Sequence, residues 1–242
     1  MVARTDLATD PQVVADLASV RAGTAYFRRV LNGLTDAELS EPSLLTGWTR
    51  KHVVAHVGYN ARALSRLVEW AATGVETPMY SSPEARGEEI ELGATLNPEA
   101  LRNLCDHSAI DLDVRWRDLP DDRWRAKVLT AQGRTVPASE TVWLRTREVW
   151  LHSIDLLAGG RFADVPRPVL QRLLEDVVRT WATRDALDGL RLVADGGEPL
   201  GDVEGARDVS GSLPEMVRWA TGRGDGSSLT WAGTPGPAPR WI

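Results

Sequence analysis

The sequence predicts an α+β protein with an amino-terminal four-helix bundle in residues 1–160 and a smaller α+β domain in residues 161–242. Four segments of the first part repeat apolar residues with the period of an α-helix. After Gly160, prolines and glycines divide the chain into shorter elements, which indicates a change of domain. A chain of 242 residues can hold one large or two small domains and still build a hydrophobic core.

The first two predicted helices precede a long polar connection. The first helix covers residues 11–34, where Asn32-Gly33 stops the apolar repeat. Thr49 is a good N-cap for the second helix, which ends at Gly74. The crossover of residues 75–97 is too long for a tight connection. We therefore expect a loop of the kind that carries function and covers a site.

The other two helices of the bundle each begin at a proline. Pro98 lies in the first turn of the third helix, which ends at Leu119-Pro120. Residues 128–136 are predicted to form a small hairpin, after which Pro137 opens the fourth helix. That helix ends at Gly159-Gly160. In such bundles, metal sites are built from side chains on facing helices.

Short helices and strands are predicted for the carboxy-terminal domain. A helix covers residues 168–181, and the strand Leu190–Ala194 ends in a turn at residues 195–197. A strand near residues 206–209, a helix at 214–220 and a strand at 228–231 complete the unit.

The composition argues against several classes of protein. The formal net charge is −6, the sequence pI is about 5.3 and no run of Lys or Arg occurs, which argues against nucleic-acid binding. No segment approaches the ~20 apolar residues that cross a bilayer, and the amino terminus lacks the apolar core of a signal peptide. The single cysteine, Cys105, is consistent with a reducing compartment. We therefore expect a cytoplasmic protein with neither a membrane nor a nucleic-acid partner.

Two pairs of polar residues at helical spacing predict a metal site. Glu148 and His152 are four residues apart and project from nearly the same face of the fourth helix. His52 and His56 have the same spacing on the second helix. Two imidazoles and one carboxylate are the ligand set of a catalytic zinc, whereas a lone cysteine excludes a structural cysteine site. Either histidine of the second helix can complete the set, although such pairs also arise by chance.

Longer motifs carry a family resemblance. The runs GWTRKHVVAH (residues 47–56) and REVWLH (residues 147–152) resemble the amino-terminal signature of mycothiol-dependent maleylpyruvate isomerases. These enzymes are members of the DinB-like metal-binding superfamily, so the resemblance implies a DinB-like four-helix bundle. It extends over nearly the whole chain, through residues 77–80, 82–86, 129–140 and 222–224.

The resemblance selects the metal ligands. It implies a divalent metal, expected to be zinc, bound by His56, Glu148 and His152. His52 occupies a position where relatives often have an acidic residue, so we interpret it as a neighbour of the ligands or a surface group. The helix geometry still allows His52 to take the place of His56.

The implied reaction converts maleylpyruvate to fumarylpyruvate, a step of gentisate degradation, with mycothiol as the thiol cosubstrate. Adding a thiolate to the cis double bond gives an enolate with a rotatable bond, and expelling the thiolate after rotation leaves the trans product. A free thiol has a pKa near ~8.5, and coordination to a metal deprotonates it. We therefore expect the mycothiol sulfur to bind the zinc.

A dicarboxylate substrate requires fixed cations. The resemblance suggests Arg86 on the crossover and Arg223 in the carboxy-terminal turn as catalytic residues that bind carboxylates and stabilise the enolate from opposite domains. Tyr80 and Asn60 are candidate hydrogen-bond donors to the substrate. Cys105 is expected to be a core residue rather than the nucleophile. We expect a monomer.

Two other functions are compatible with the same motifs. A metal-dependent mycothiol S-transferase would use the same activated thiol on another electrophile, which substrate profiling would reveal. A non-catalytic metal-binding bundle would retain the metal without any thiol-dependent turnover.

Overall fold

The computed structural model describes residues 5–202 and 207–241. The α+β chain divides into two compact units, Met1–Gly160 and Arg161–Ile242. No helix in these described ranges combines the length and the apolar character needed to cross a membrane.

The first unit is built mainly from helices. They are α1 (Pro11–Asn32), α2 (Arg50–Thr73), α3 (Ala85–Ala94), α4 (Pro98–Arg117) and α5 (Glu140–Asp155). The Asp10 side chain accepts hydrogen bonds from the first turn of α1, and Asn97 does so for α4. Such caps satisfy N–H groups that the helix itself leaves unpaired. The sequence signals at Thr49 and Pro98 therefore mark the observed starts of α2 and α4.

Helix α2 is the centre of this unit. It packs against α4, α3 and α5, and α1 packs against α5. Leu64 and Leu67 of α2 are fully buried, as is Leu101 of α4. Burying a leucine side chain contributes about 1.5–3 kcal/mol relative to leaving it exposed. The packing places the polar residues of α2 and α5 that face one another inside the unit.

Two predicted boundaries were wrong. The crossover of residues 75–97 contains α3, whose close approach to α2 uses Gly93 rather than a row of apolar side chains. Pro137 belongs to a strand and does not open the fourth helix, which begins at Glu140. β1 (Lys127–Leu129) pairs antiparallel with β2 (Thr135–Pro137), and a proline is tolerated at such an edge.

The second unit packs two helices beside a four-stranded sheet. Its elements are α6 (Arg167–Thr183), β3 (Leu190–Ala194), β4 (Leu200–Gly201), β5 (Arg207–Gly211), α7 (Leu213–Ala220) and β6 (Thr230–Trp231). The strand order is β4-β3-β5-β6, with β3 parallel to β5 and the other pairs antiparallel. The sequence analysis missed β4. Of the strand that it placed at residues 206–209, Ala206 lies outside the described residues, and β5 extends to Gly211.

Candidate metal centre

His56 and His52 have different environments on α2. His56 lies in the second turn and is 4% exposed. His52, one turn earlier, belongs to the helix cap: its Nδ1 accepts the backbone N–H of Thr49 at 3.2 Å. Its Nε2 lies 3.5 Å from Glu91. The cap directs the His52 ring away from the buried position that His56 occupies.

Helix α5 supplies two side chains to the same place. Nε2 of His56 lies 2.7 Å from Oε2 of Glu148, and Nε2 of His152 lies 3.1 Å from the same oxygen. The three potential ligand atoms are all within 4.8 Å of one another. Of the four histidines and the acidic residues singled out from the sequence, these three come together, and His52 is not part of their group.

The geometry suits a tetrahedral metal ion. Ligand atoms bound at ~2.0–2.1 Å with tetrahedral angles are roughly 3.3 Å apart. The separations of 2.7 and 3.1 Å at Glu148 are close to that value, so small side-chain movements would admit an ion. Three protein ligands leave a further position for a thiol, water or substrate.

Asp155 is a functional candidate that the sequence analysis missed. Its Oδ2 lies 2.8 Å from Nδ1 of His152, and its side chain is fully buried. Histidines that bind metals commonly pair their second ring nitrogen with a carboxylate, which fixes the tautomer and the ring orientation. The signal in the sequence was the three-residue spacing from His152.

The pKa values of the group follow from burial and mutual contact. Burial lowers the pKa of His56, and its contacts with Glu148 only partly oppose this effect. Burial also opposes the charged form of His152, but hydrogen bonds to Asp155 and Glu148 outweigh it and raise the pKa. Burial would raise the pKa of Glu148, yet the two histidines hold it well below its usual value. In this state Glu148 is a carboxylate, as metal ligation requires.

A cavity of about 60 Å³ borders the group. Its lining includes His56, Asn60, Tyr80, Arg86, Arg147 and Glu148. Nη2 of Arg86, in the first turn of α3, is 3.5 Å from Nδ1 of His56. Burial raises the pKa of Tyr80, so its phenol is protonated and can donate a hydrogen bond. Three residues proposed for the substrate from sequence therefore share this cavity with two of the three potential ligands.

The amide of Asn60 has a defined orientation. Nη1 of Arg145 donates to Oδ1 of Asn60 at 2.9 Å and to the Val57 carbonyl at 2.6 Å. A guanidinium has no acceptor, so the atom facing it must be the amide oxygen. The NH₂ group of Asn60 is thereby left to donate on the side of the cavity.

Two other residues from the sequence analysis lie elsewhere. Arg223 belongs to the second unit, in the turn after α7, where its Nη1 donates to the Thr221 carbonyl at 2.9 Å. Cys105 is buried in α4, and burial raises its pKa to about 11. A thiol with that pKa is protonated at neutral pH and is not a nucleophile. This confirms the prediction that Cys105 is a core residue.

Comparison with known proteins agrees with these features. Residues 20–157 match the family model of the mycothiol maleylpyruvate isomerase N-terminal domain. A crystal structure of the mycothiol-dependent maleylpyruvate isomerase is 49% identical, with a TM-score of 0.90 over 95% of this chain and 97% of that chain. A structure of a histidine-to-alanine mutant of such an isomerase is 48% identical, with the same TM-score and coverage. No curated protein sequence gave a significant match.

The fold and the site define a helix-bundle protein that gathers two histidines and a carboxylate on facing helices. The residues matched by the family model, 20–157, include both of these helices. The chain belongs to the mycothiol-dependent maleylpyruvate isomerase family.

Proposed function

We propose that this protein converts maleylpyruvate to fumarylpyruvate with mycothiol as the thiol cosubstrate. The observation that carries this proposal is the 49% identity to the isomerase over 95% of the chain. The convergence of His56, Glu148 and His152 in the core of the first unit supports it. A cytoplasmic location and a monomeric state stay predictions from the sequence.

We propose that the three residues hold a divalent metal, with zinc favoured by the ligand set of two imidazoles and one carboxylate. When bound, zinc lowers the pKa of a coordinated thiol so that it is present as a thiolate. Glu148 acts here as a ligand rather than as a general base, because both histidines contact the same carboxylate oxygen. Asp155 keeps the Nε2 atom of His152 directed at the site.

The substrate chemistry assigns roles to the cavity residues. The thiolate forms a carbon–sulfur bond, the double bond becomes single and the electron pair moves to the conjugated carbonyl oxygen. Rotation follows, and the same pair then re-forms the double bond as the thiolate leaves. Arg86 binds a carboxylate, and the NH₂ group of Asn60 and the hydroxyl of Tyr80 donate to the enolate oxygen.

At about 60 Å³ the cavity is too small for both a dicarboxylate and a thiol. We propose that Tyr80 and Arg86 move outward when these molecules bind. The role of Arg223 as a second carboxylate ligand stays a prediction from the sequence.

The test is the loss of maleylpyruvate absorbance with purified protein, with and without mycothiol, before and after chelation and zinc restoration. We expect turnover that requires both thiol and metal. Bound metal without turnover of maleylpyruvate would contradict the proposal. Turnover of another electrophile in that case would indicate the S-transferase alternative, and none at all the non-catalytic one.

A further inference from the structure

A second cavity lies between α1 and α4 of the first unit. Its volume is about 370 Å³, compared with about 60 Å³ beside the metal centre. Sites for small molecules typically measure ~300–1,000 Å³, so this cavity is large enough for a compact ligand. Val20, Leu112 and Trp116 contribute apolar wall, and each is at most 3% exposed.

Arg145 of α5 lines the same cavity, although the residue is only 1% exposed. All of its hydrogen bonds to described residues involve Nη1, which donates to Val57 and Asn60. Nε and Nη2 are bonded to no acceptor in residues 5–202 or 207–241. No carboxylate in these ranges forms an ion pair with Arg145 either. Glu148 attracts this charge only from beyond ion-pair distance, and a buried charge with no carboxylate in contact is costly.

The other cations around the cavity differ from Arg145 in this respect. Nε of Arg21 pairs with Asp113 at 2.6 Å, and Nη2 pairs with Asp6 at 2.6 Å. Arg28 pairs with Asp106 at 2.8 Å. These pairs connect α1 to α4 or to the preceding segment and neutralise the surface arginines. Arg117 pairs with Asp118 at 2.8 Å. Among the described cations of the lining, Arg145 is thus the one without a carboxylate in ion-pair contact.

We infer that the cavity between α1 and α4 binds a small monocarboxylate with an apolar body, such as an aryl carboxylate. The carboxylate accepts two parallel hydrogen bonds from Nε and Nη2 of Arg145, an edge whose fork geometry matches a carboxylate. The apolar body lies against Trp116 and Leu112. Arg21, Arg28 and Arg117 already have carboxylate partners, so one negative charge on the ligand is sufficient to compensate Arg145. This inference does not rest on the function of the metal centre.

The test uses two probes of the same shape, benzoate and its neutral amide, benzamide. Isothermal titration calorimetry of the full-length protein is expected to detect benzoate and not benzamide. R145M should weaken benzoate binding at least about tenfold, because a hydrogen-bonded charge pair is lost. Ala25 is exposed on α1 and lines the cavity, so A25F should obstruct it without removing a buried charge.

R86A separates this cavity from the metal centre, because Arg86 lines the other cavity. Benzoate binding should persist in R86A and be lost in A25F. If R145M fails to fold, A25F and the benzamide comparison decide. The inference is wrong if wild-type protein does not bind benzoate, if A25F binds it as wild type does, if benzamide binds equally well, or if R86A abolishes binding.

Discussion

The fully buried carboxylate of Asp155 lies 2.8 Å from Nδ1 of His152, on the ring edge opposite Glu148. Nδ1 is occupied by this contact, so Nε2 is the nitrogen that faces Glu148 and His56. Asp155 thus orients the His152 ring, and Glu148 lies beside the nitrogen that would bind the metal. The candidate metal centre therefore contains two carboxylates, one as a potential ligand and one that supports a ligand.

Replacing Asp155 by asparagine should weaken zinc affinity by about 10–100-fold, the usual effect of removing such a partner. The ring loses its fixed orientation and some of its basicity, while all three ligands remain. Competition with a chromophoric chelator measures the affinity. Asp111→Asn, on the exposed face of α4, is the matched control and should bind zinc as wild type does. Equal affinities for the two variants would exclude the supporting role of Asp155.

The two histidines of α2 are expected to respond differently to alanine. His56→Ala removes one of three convergent ligands and should abolish stoichiometric zinc binding and turnover. His52→Ala removes a cap contact and should cost about 0.5–2 kcal/mol of unfolding free energy while zinc is retained. Metal analysis and urea denaturation measure the two effects. Loss of zinc in His52→Ala, with zinc retained in His56→Ala, would reverse the assignment of the ligand.

Arg86 is expected to act on the substrate rather than on the metal. Arg86→Ala should lower kcat/KM for maleylpyruvate at least about tenfold, since a charge-assisted hydrogen bond is lost, while zinc content is unchanged. Arg86→Lys keeps the positive charge but cannot bind a carboxylate with two parallel hydrogen bonds, so it should restore the activity only partly. Arg123→Ala, which removes an exposed arginine outside the cavity, is the control. A variant that lost zinc together with activity would point to a structural role instead.

The close contact between α3 and α2 should be sensitive to a single methyl group. A Cβ at Gly93 would lie 2.7 Å from Cβ of Ala55 and 2.8 Å from Cε2 of Tyr59. Gly93→Ala should therefore destabilise the protein by about 1–3 kcal/mol. Because α3 also carries Arg86, the value of KM should rise.

Gly87 provides the matched control on the same helix. Apart from the adjoining residues and backbone of α3, no atom of the described residues lies within 4 Å of a Cβ built there, so Gly87→Ala should raise stability by up to about 1 kcal/mol. Urea denaturation of both variants measures the difference. If Gly93→Ala is as stable as Gly87→Ala, α3 does not pack on α2 as described.

The sequence correctly predicted the features that depend only on residues within a few positions of one another. The N-cap Thr49 and Pro98 mark the observed helix starts, and four-residue spacing brought Glu148 and His152 together. The start of α5 was misplaced because a proline suits both a first helical turn and an edge strand. Helix α3 was missed because it contacts α2 through Gly93, and a glycine adds nothing to an apolar repeat in the sequence.

The roles of Asp155 and Arg145 could not be recognised from the sequence. Many solvated carboxylates also lie three residues from a histidine, and the burial of Asp155 is what distinguishes it from them. Arg145 is one of many arginines, most of which would be expected at the surface. Its importance depends on Asn60 and Val57, which are 85 and 88 positions away. Such separations have no periodic signature.

The hydrogen bond between Arg145 and Asn60 also has a mechanical consequence. His56 and Asn60 lie one turn apart on α2, and Glu148 and Arg145 lie about one turn apart on α5. The contacts His56–Glu148 and Asn60–Arg145 therefore connect α2 and α5 at two successive helical turns. Sliding α2 along α5 would break both contacts at once. Removing the metal should consequently leave the axial alignment of the helices unchanged, so that an ion enters a site already in register.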